Sequence, residues 1–169
     1  MNSRKTNKAR VADKNSLLLG GGLGRGLCLF PGSFEPFTKG HADIVERALT
    51  LFDEIIIGVG YNDTKTGLLT LEGRVSKIRE LYADNARVKV AGYSGLTADF
   101  AKANGVTAIV RGVRTMKDFE YEMQMADVNR QISGIETILL PASPQYASLS
   151  STLVRELSRF GHDISAFLP

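Results

Sequence analysis

Ser33 and His41 stand eight residues apart in FPGSFEPFTKGH (Phe30–His41), a stretch that also holds two glycines and two prolines. A short apolar run, Leu27–Phe30, precedes it, and the helical pattern ADIVERALTLF follows. A hydroxyl and an imidazole across a strand-to-helix turn could both face a phosphate, because a helix start offers free N–H groups and the positive end of its dipole. Gly32 and Gly40 would let the backbone approach such a ligand with no Cβ in the way. The plainer alternative makes Thr38 a helix cap and His41 a first-turn residue bonding to a loop carbonyl. The pattern is neither GxGxxG nor GxxxxGK[ST], so a dinucleotide fingerprint or P-loop is not indicated.

Similar chemistry recurs further along. Lys65 lies in YNDTKTGLLT, where a solvated lysine is the default. RGVRTMKDFEYE places Arg111 and Arg114 around a glycine, and planar guanidinium groups suit phosphate oxygens. Asp118, Tyr121 and Glu122 follow at i, i+3 and i+4 on one helical face, so ion pairs with those arginines are the alternative. SPQYASLSSTLVRE sets Ser150, Ser151 and Thr152 at a helix start, either as ordinary caps or as a second anion site. One polyphosphate ligand accounts for all four places together.

The elements that must carry these residues alternate. EIIIGVG (Glu54–Gly60) is a continuous β-branched run, as expected of a strand covered on both faces. ARVKVAGY, VTAIVRG and ETILLPA supply three more strands, with Leu27–Phe30 as the first. Between them, apolar residues fall at helical spacing: Ile44, Ala48 and Leu51; Leu71, Val75, Ile78 and Tyr82; Leu96, Phe100 and Ala103, closed by Asn104-Gly105. Phe119, Met123, Ala126 and Arg130 mark a fourth, longer helix. This alternation predicts an α/β fold, a Rossmann-like open parallel five-stranded sheet with helices on both faces, in a single domain. Ligands of such sheets bind beyond the carboxyl ends of the strands, beside a switch in strand order.

Composition narrows the class. The 169 residues are 43% hydrophobic and 23% charged, ordinary for a globular protein. No apolar run approaches the roughly 18 to 20 residues that span a bilayer, so no membrane is expected as a partner. The single cysteine, Cys28, fits a reducing compartment and a cytoplasmic location. The net charge of +3 is uneven. Six of the 21 basic residues and one of the 18 acidic ones lie in residues 1–26, leaving the remainder at −2. Residues 1–26 read as a disordered basic extension, flexible or a start-site artefact rather than a targeting peptide, and residues 27–169 as the catalytic domain. Charge in that arm alone does not indicate nucleic-acid binding.

PGSFEPFTKGH, TLEGRV, RGVRTMKDFEYEMQMADVNR, SSTLVRE and the closing FLP closely resemble, in order and spacing, the bacterial phosphopantetheine adenylyltransferases of the T-x-G-H nucleotidylyltransferase superfamily. T-x-G-H alone is shared with cytidylyltransferases and other adenylyltransferases; the long RGVR block is far more specific. The resemblance implies transfer of AMP from ATP to 4′-phosphopantetheine, giving dephospho-coenzyme A and pyrophosphate, the penultimate step of coenzyme A synthesis. It implies in-line attack with no covalent intermediate, so positioning and charge neutralisation matter more than a strong nucleophile.

By position the resemblance implies His41 as transition-state stabiliser, with Ser33, Lys65 and Arg111 beside it. Lys65, Thr97 and Arg111, with Ser33, would hold phosphopantetheine. ATP would meet Ser33, Phe34, His41, Gly112, Val113, Arg114, Glu122 and the segment Tyr146, Ala147, Ser148, Leu149, Ser150, Ser151 and Thr152. Mg²⁺ would accompany ATP with few or no direct protein ligands, coenzyme A would be a feedback ligand, and the assembly would be a homohexamer. Ser33 replaces the family's more usual Thr, Glu35 stands where Asp is typical, and Gly95 occupies a position often acidic. The sequence ends at Pro169, where members usually continue into a short helix.

Overall fold

A computed structural model of the chain describes residues 25–61 and 69–169. Leu27–Gly32 (β1) and Glu54–Gly60 (β2) bury four and five consecutive residues, because apolar side chains leave both faces of these strands with something to cover. Val88–Tyr93 (β3), Ala108–Val113 (β4) and Glu136–Pro141 (β5) complete the sheet. The strand order is β3-β2-β1-β4-β5, and every pair is parallel. The open parallel α/β sheet read from the alternation of elements is the one observed.

Among the described residues five α-helices connect and cover the strands: Lys39–Leu51 (α1), Leu71–Leu81 (α2), Thr97–Ala103 (α3), Met116–Ser133 (α4) and Ser151–Arg159 (α5). The two-residue period of β1 divides the core. Cys28 and Phe30 join Ile44, Val45 and Ala48 of α1 and Val75 and Ile78 of α2. Leu29 points the other way, to Ala101 of α3, Val106 and Ile109. Local signals set the helix ends. The hydroxyls of Thr70 and Thr115 accept the N–H groups of Gly73 and Asp118, each at 3.1 Å. Gly105 closes α3 at φ +63°, as its sequence suggested, and Gly134 closes α4 at φ +76°. Among the described residues no helix is long and apolar enough to cross a membrane.

One expectation needs correcting. The apolar spacing of α4 marks a helix, but Phe119 and Met123 face outward, 40% and 50% exposed, while Glu122 and Asn129 are its buried residues. The polar face turns inward because Arg111, on the adjacent strand, offers Glu122 a bidentate partner. Leu51, in the last turn of α1, is also exposed.

Gly58, inside β2, leaves room for Leu29: a Cβ built there would stand 2.8 Å from Leu29 Cδ1. Leu29 is fully buried and has nowhere to go. Gly58→Ala is therefore expected to lower stability by about 1–3 kcal/mol through overpacking, measured by urea denaturation.

Candidate active site

The chain leaves β1 toward β2 on one side, while β4 flanks β1 on the other. That switch in strand order opens a crevice at the strand ends, and a cavity of about 270 Å³ lies there. The end of β1, the first turn of α1, Arg111 and Gly112 of β4 and the start of α5 all line it.

The β1–α1 loop is held by its carbonyls. Arg74 of α2, 7% exposed, donates to the carbonyls of Ser33 and, at 3.3 Å, Gly60. Arg111 donates to Pro31 and Arg155 to Glu35. The Ser151 hydroxyl donates to Pro36 O at 2.9 Å. Within this frame Phe34 adopts φ +47°, a conformation that costs a bulky residue about 1–3 kcal/mol. The return is burial: its ring packs 5.1 Å from Phe30 and 5.3 Å from Phe37, and meets His41 edge-on at 5.1 Å. Gly32 serves that ring rather than a ligand, since a Cβ there would lie 2.9 Å from it.

His41 is oriented by its own helix start. The backbone N–H of Thr38 donates to Nδ1 at 3.0 Å, and the Thr38 hydroxyl lies 3.2 Å from the same nitrogen. An Nδ1 that accepts must be unprotonated, so the neutral ring carries its hydrogen on Nε2, the nitrogen left to face the cavity. Burial in the cavity wall, with the charges of Arg111 and Arg114 nearby, pulls its pKa from 6.5 down to about 3. His41 is thus a neutral donor. The loop partner of His41 is a backbone N–H rather than the carbonyl of the plainer reading, and this bond occupies only one of its two ring nitrogens.

The arginines at the end of β4 do pair with the acids of α4. Glu122 accepts from Arg111 Nε and Nη2 at 2.8 and 2.6 Å, with its side chain 9% exposed. With Pro31 O this engages three of the five N–H donors of a guanidinium and leaves two. Arg114 donates to Asp118 at 3.0 Å and to Leu149 O at 3.2 Å. Three arginines (111, 114 and 155) and two carboxylates line the cavity, an excess of one positive charge suited to an anion.

Of the residues named from sequence, Ser33, Phe34, His41, Arg111, Gly112, Arg114, Glu122, Tyr146, Leu149, Ser150, Ser151 and Thr152 line this cavity, whereas Val113, Ala147 and Ser148 do not. The hydroxyls of the α5 start also have structural duties: Ser150 caps Leu153 N–H at 3.1 Å, and Thr152 accepts from Arg155 at 3.1 Å. Thr97 lines a second cavity of about 120 Å³, which shares Pro31, Arg111 and Glu122 with the first. Lys65 lies outside the described residues. Sequence reasoning missed Arg155 as a cavity residue, although it sits one helical turn after Ser151 in SSTLVRE. Among the described residues no group of three or more His, Cys, Asp or Glu side chains could hold a metal.

Residues 29–157 match the cytidylyltransferase-like family model. A phosphopantetheine adenylyltransferase of Phocaeicola vulgatus is 54% identical over 141 residues, 83% of this chain and 93% of the relative. That of Bacteroides thetaiotaomicron is 55% identical over the same shares. The fold is also that of a bifunctional NMN adenylyltransferase/ADP ribose pyrophosphatase from Francisella tularensis, with a TM-score of 0.64 and 16% identity over 84% of this chain and 44% of that one.

Because the folded-state pKa of His41 lies below that of the unfolded chain, its contribution to stability is full above pH 6.5 and is lost as pH falls toward 3. The urea midpoint is expected to drop between pH 7 and 4.5, with part of that slope absent in His41→Asn. In NMR the His41 ring proton signals should stay stationary across this range.

Proposed function

Because the chain belongs to the cytidylyltransferase-like family, and within it to the phosphopantetheine adenylyltransferases, we infer that its cavity brings ATP and 4′-phosphopantetheine together. The enzyme transfers AMP from ATP to the acceptor's 4′-phosphate, yielding dephospho-coenzyme A and pyrophosphate in the penultimate step of coenzyme A synthesis. An oxygen of the acceptor phosphate forms the new bond to the α-phosphorus. The bond from that phosphorus to the bridging oxygen of the β-phosphate breaks, and its electron pair leaves with pyrophosphate.

One observation carries the assignment of roles: His41 is held by Nδ1 as a neutral donor in a cationic cavity at the switch point. Its Nε2–H would meet the α-phosphate as charge gathers there, a preorganised contact that needs no reorganisation during reaction. Ser33 and the Phe34 backbone would sit between the two phosphates. The two unengaged N–H groups of Arg111 would hold the acceptor phosphate, with Lys65 assisting, and Thr97 would meet the pantetheine arm in the second cavity. Arg114 would exchange part of its contact with Asp118 for the phosphates of ATP, beside the Ser150–Thr152 helix start. Gly112, Val113, Glu122 and residues 146–149 would enclose the nucleotide.

Mg²⁺ would arrive on the triphosphate and neutralise its charge, consistent with carboxylates already committed to arginines. Dephospho-coenzyme A would span both subsites, and coenzyme A, which shares its arm and nucleotide, would act there as a feedback ligand. The outward Phe119, Met123, Val128 and Ile132 of α4 support burial against further copies in a homohexamer. Residues 27–169 form the catalytic unit in the cytosol, with residues 1–26 as an extension.

Pyrophosphate release from ATP should require 4′-phosphopantetheine and should fall about 100- to 1,000-fold in His41→Ala. Release without the acceptor, or with a different acceptor only, would sink the assignment.

A further inference from the structure

Thr137, on β5, has a hydroxyl that is enclosed yet bonds to no protein group. β5 alternates: Ile138 and Leu140 pack against the core that α1 and α2 cover, so Thr137 turns to the opposite face of the sheet, where α4 lies. There it lines the second cavity with Asn129, a residue 8% exposed. A buried hydroxyl without a partner weakens its own fold, and a valine would fill nearly the same space without that penalty. The other threonine hydroxyl in this cavity is different, since Thr97 Oγ1 already lies 2.8 Å from the Tyr93 hydroxyl.

The lining of this cavity is mixed. Arg111 and Glu122, paired with each other and shared with the first cavity, join the apolar Met125 and Ala126 and the polar Asn129 and Thr137. Thr137 pairs in register with Ile109, two residues before Arg111 on β4, which is about 7 Å along the strands. A ligand held by the free N–H groups of Arg111 would bring its next polar group within reach of Thr137, and the pantetheine arm of the acceptor inferred above carries amides that could serve.

We propose that the Thr137 hydroxyl is a specificity contact, hydrogen-bonding an amide of the pantetheine arm, so that the acceptor is chosen by its arm as well as by its phosphate. The proposal rests on the functional reading above and adds a residue to it. A site built around a polar group rejects ligands that leave the group unpaired, which makes Thr137 a filter against phosphorylated acceptors lacking the amide.

The test compares the native chain, Thr137→Val and Thr137→Ser in pyrophosphate release with saturating magnesium-ATP and varied 4′-phosphopantetheine, alongside melting of each protein without ligand. The expected result for Thr137→Val is a KM for 4′-phosphopantetheine raised about five- to tenfold, the worth of one hydrogen bond. Its kcat and its KM for ATP should stay within about twofold of native, and its melting temperature should be equal or higher. Thr137→Ser, which keeps the hydroxyl, should retain the native KM. An unchanged acceptor KM in Thr137→Val, or an equal rise in Thr137→Ser, would overturn the proposal while leaving the functional reading in place. No acceptor-dependent release from the native chain would overturn both.

Discussion

The carbonyl groups of the β1–α1 loop point at cations, and the site depends on that. Arg74, Arg111 and Arg155 come from α2, β4 and α5 and converge on Ser33, Pro31 and Glu35. A loop with so many carbonyls turned outward would otherwise need water for each. Fixing them fixes the loop, and with it the Phe34 ring, which in turn supports the edge of His41. Charge-assisted hydrogen bonds are the strong kind, and three of them joining separate elements form a network whose members support one another. The strained backbone at Phe34 survives because this frame over-determines it.

The same arginines answer to more than one partner. Arg111 meets a backbone carbonyl and Glu122 and still has donors left. A lone guanidinium in this crevice would be costly to hold still, whereas one gripped on two sides is preorganised for an anion on the third. Arg114 is tied by Asp118 and by Leu149 O, so the segment before α5 is placed by a residue that also faces the cavity. Asp43 adds a second tether by accepting the Ser143 hydroxyl at 2.8 Å. Cavity lining and loop placement are thus carried by shared side chains.

How much of this could be read in advance follows from which interactions are local. β1 and β2 are legible because burial on both faces leaves an uninterrupted apolar run. The close of α3 at Gly105 is legible because a cap acts within one turn. The strand-end residues are found because a parallel sheet gathers its carboxyl ends at one edge. The inward face of α4 is not legible: Glu122 is buried because of Arg111, eleven residues away, and no periodicity carries that. The role of Gly32 depends on a ring two residues on that folds back over it. Arg155 was within reach, one turn from Ser151, but its target is a carbonyl in the first loop. The cavity between α4 and β5 depends on which face of an edge strand Thr137 takes, and that is settled by packing against α1.

Arg155 and Glu35 are 120 residues apart in the chain. Their contact has a consequence for the order in which the molecule forms. Loop closure over that span is entropically costly and is repaid only by the contacts it completes. β1, β2 and β3 emerge first from synthesis and can pair with one another, but the clamp on the first loop waits for α5, near the end of the chain. The β1–α1 loop is therefore fully pinned only when the rest of the sheet is in place. A nascent or partly opened chain keeps the local Thr38–His41 bond but lacks the Arg155 clamp on the loop, so the cavity acquires its full lining only in the finished fold.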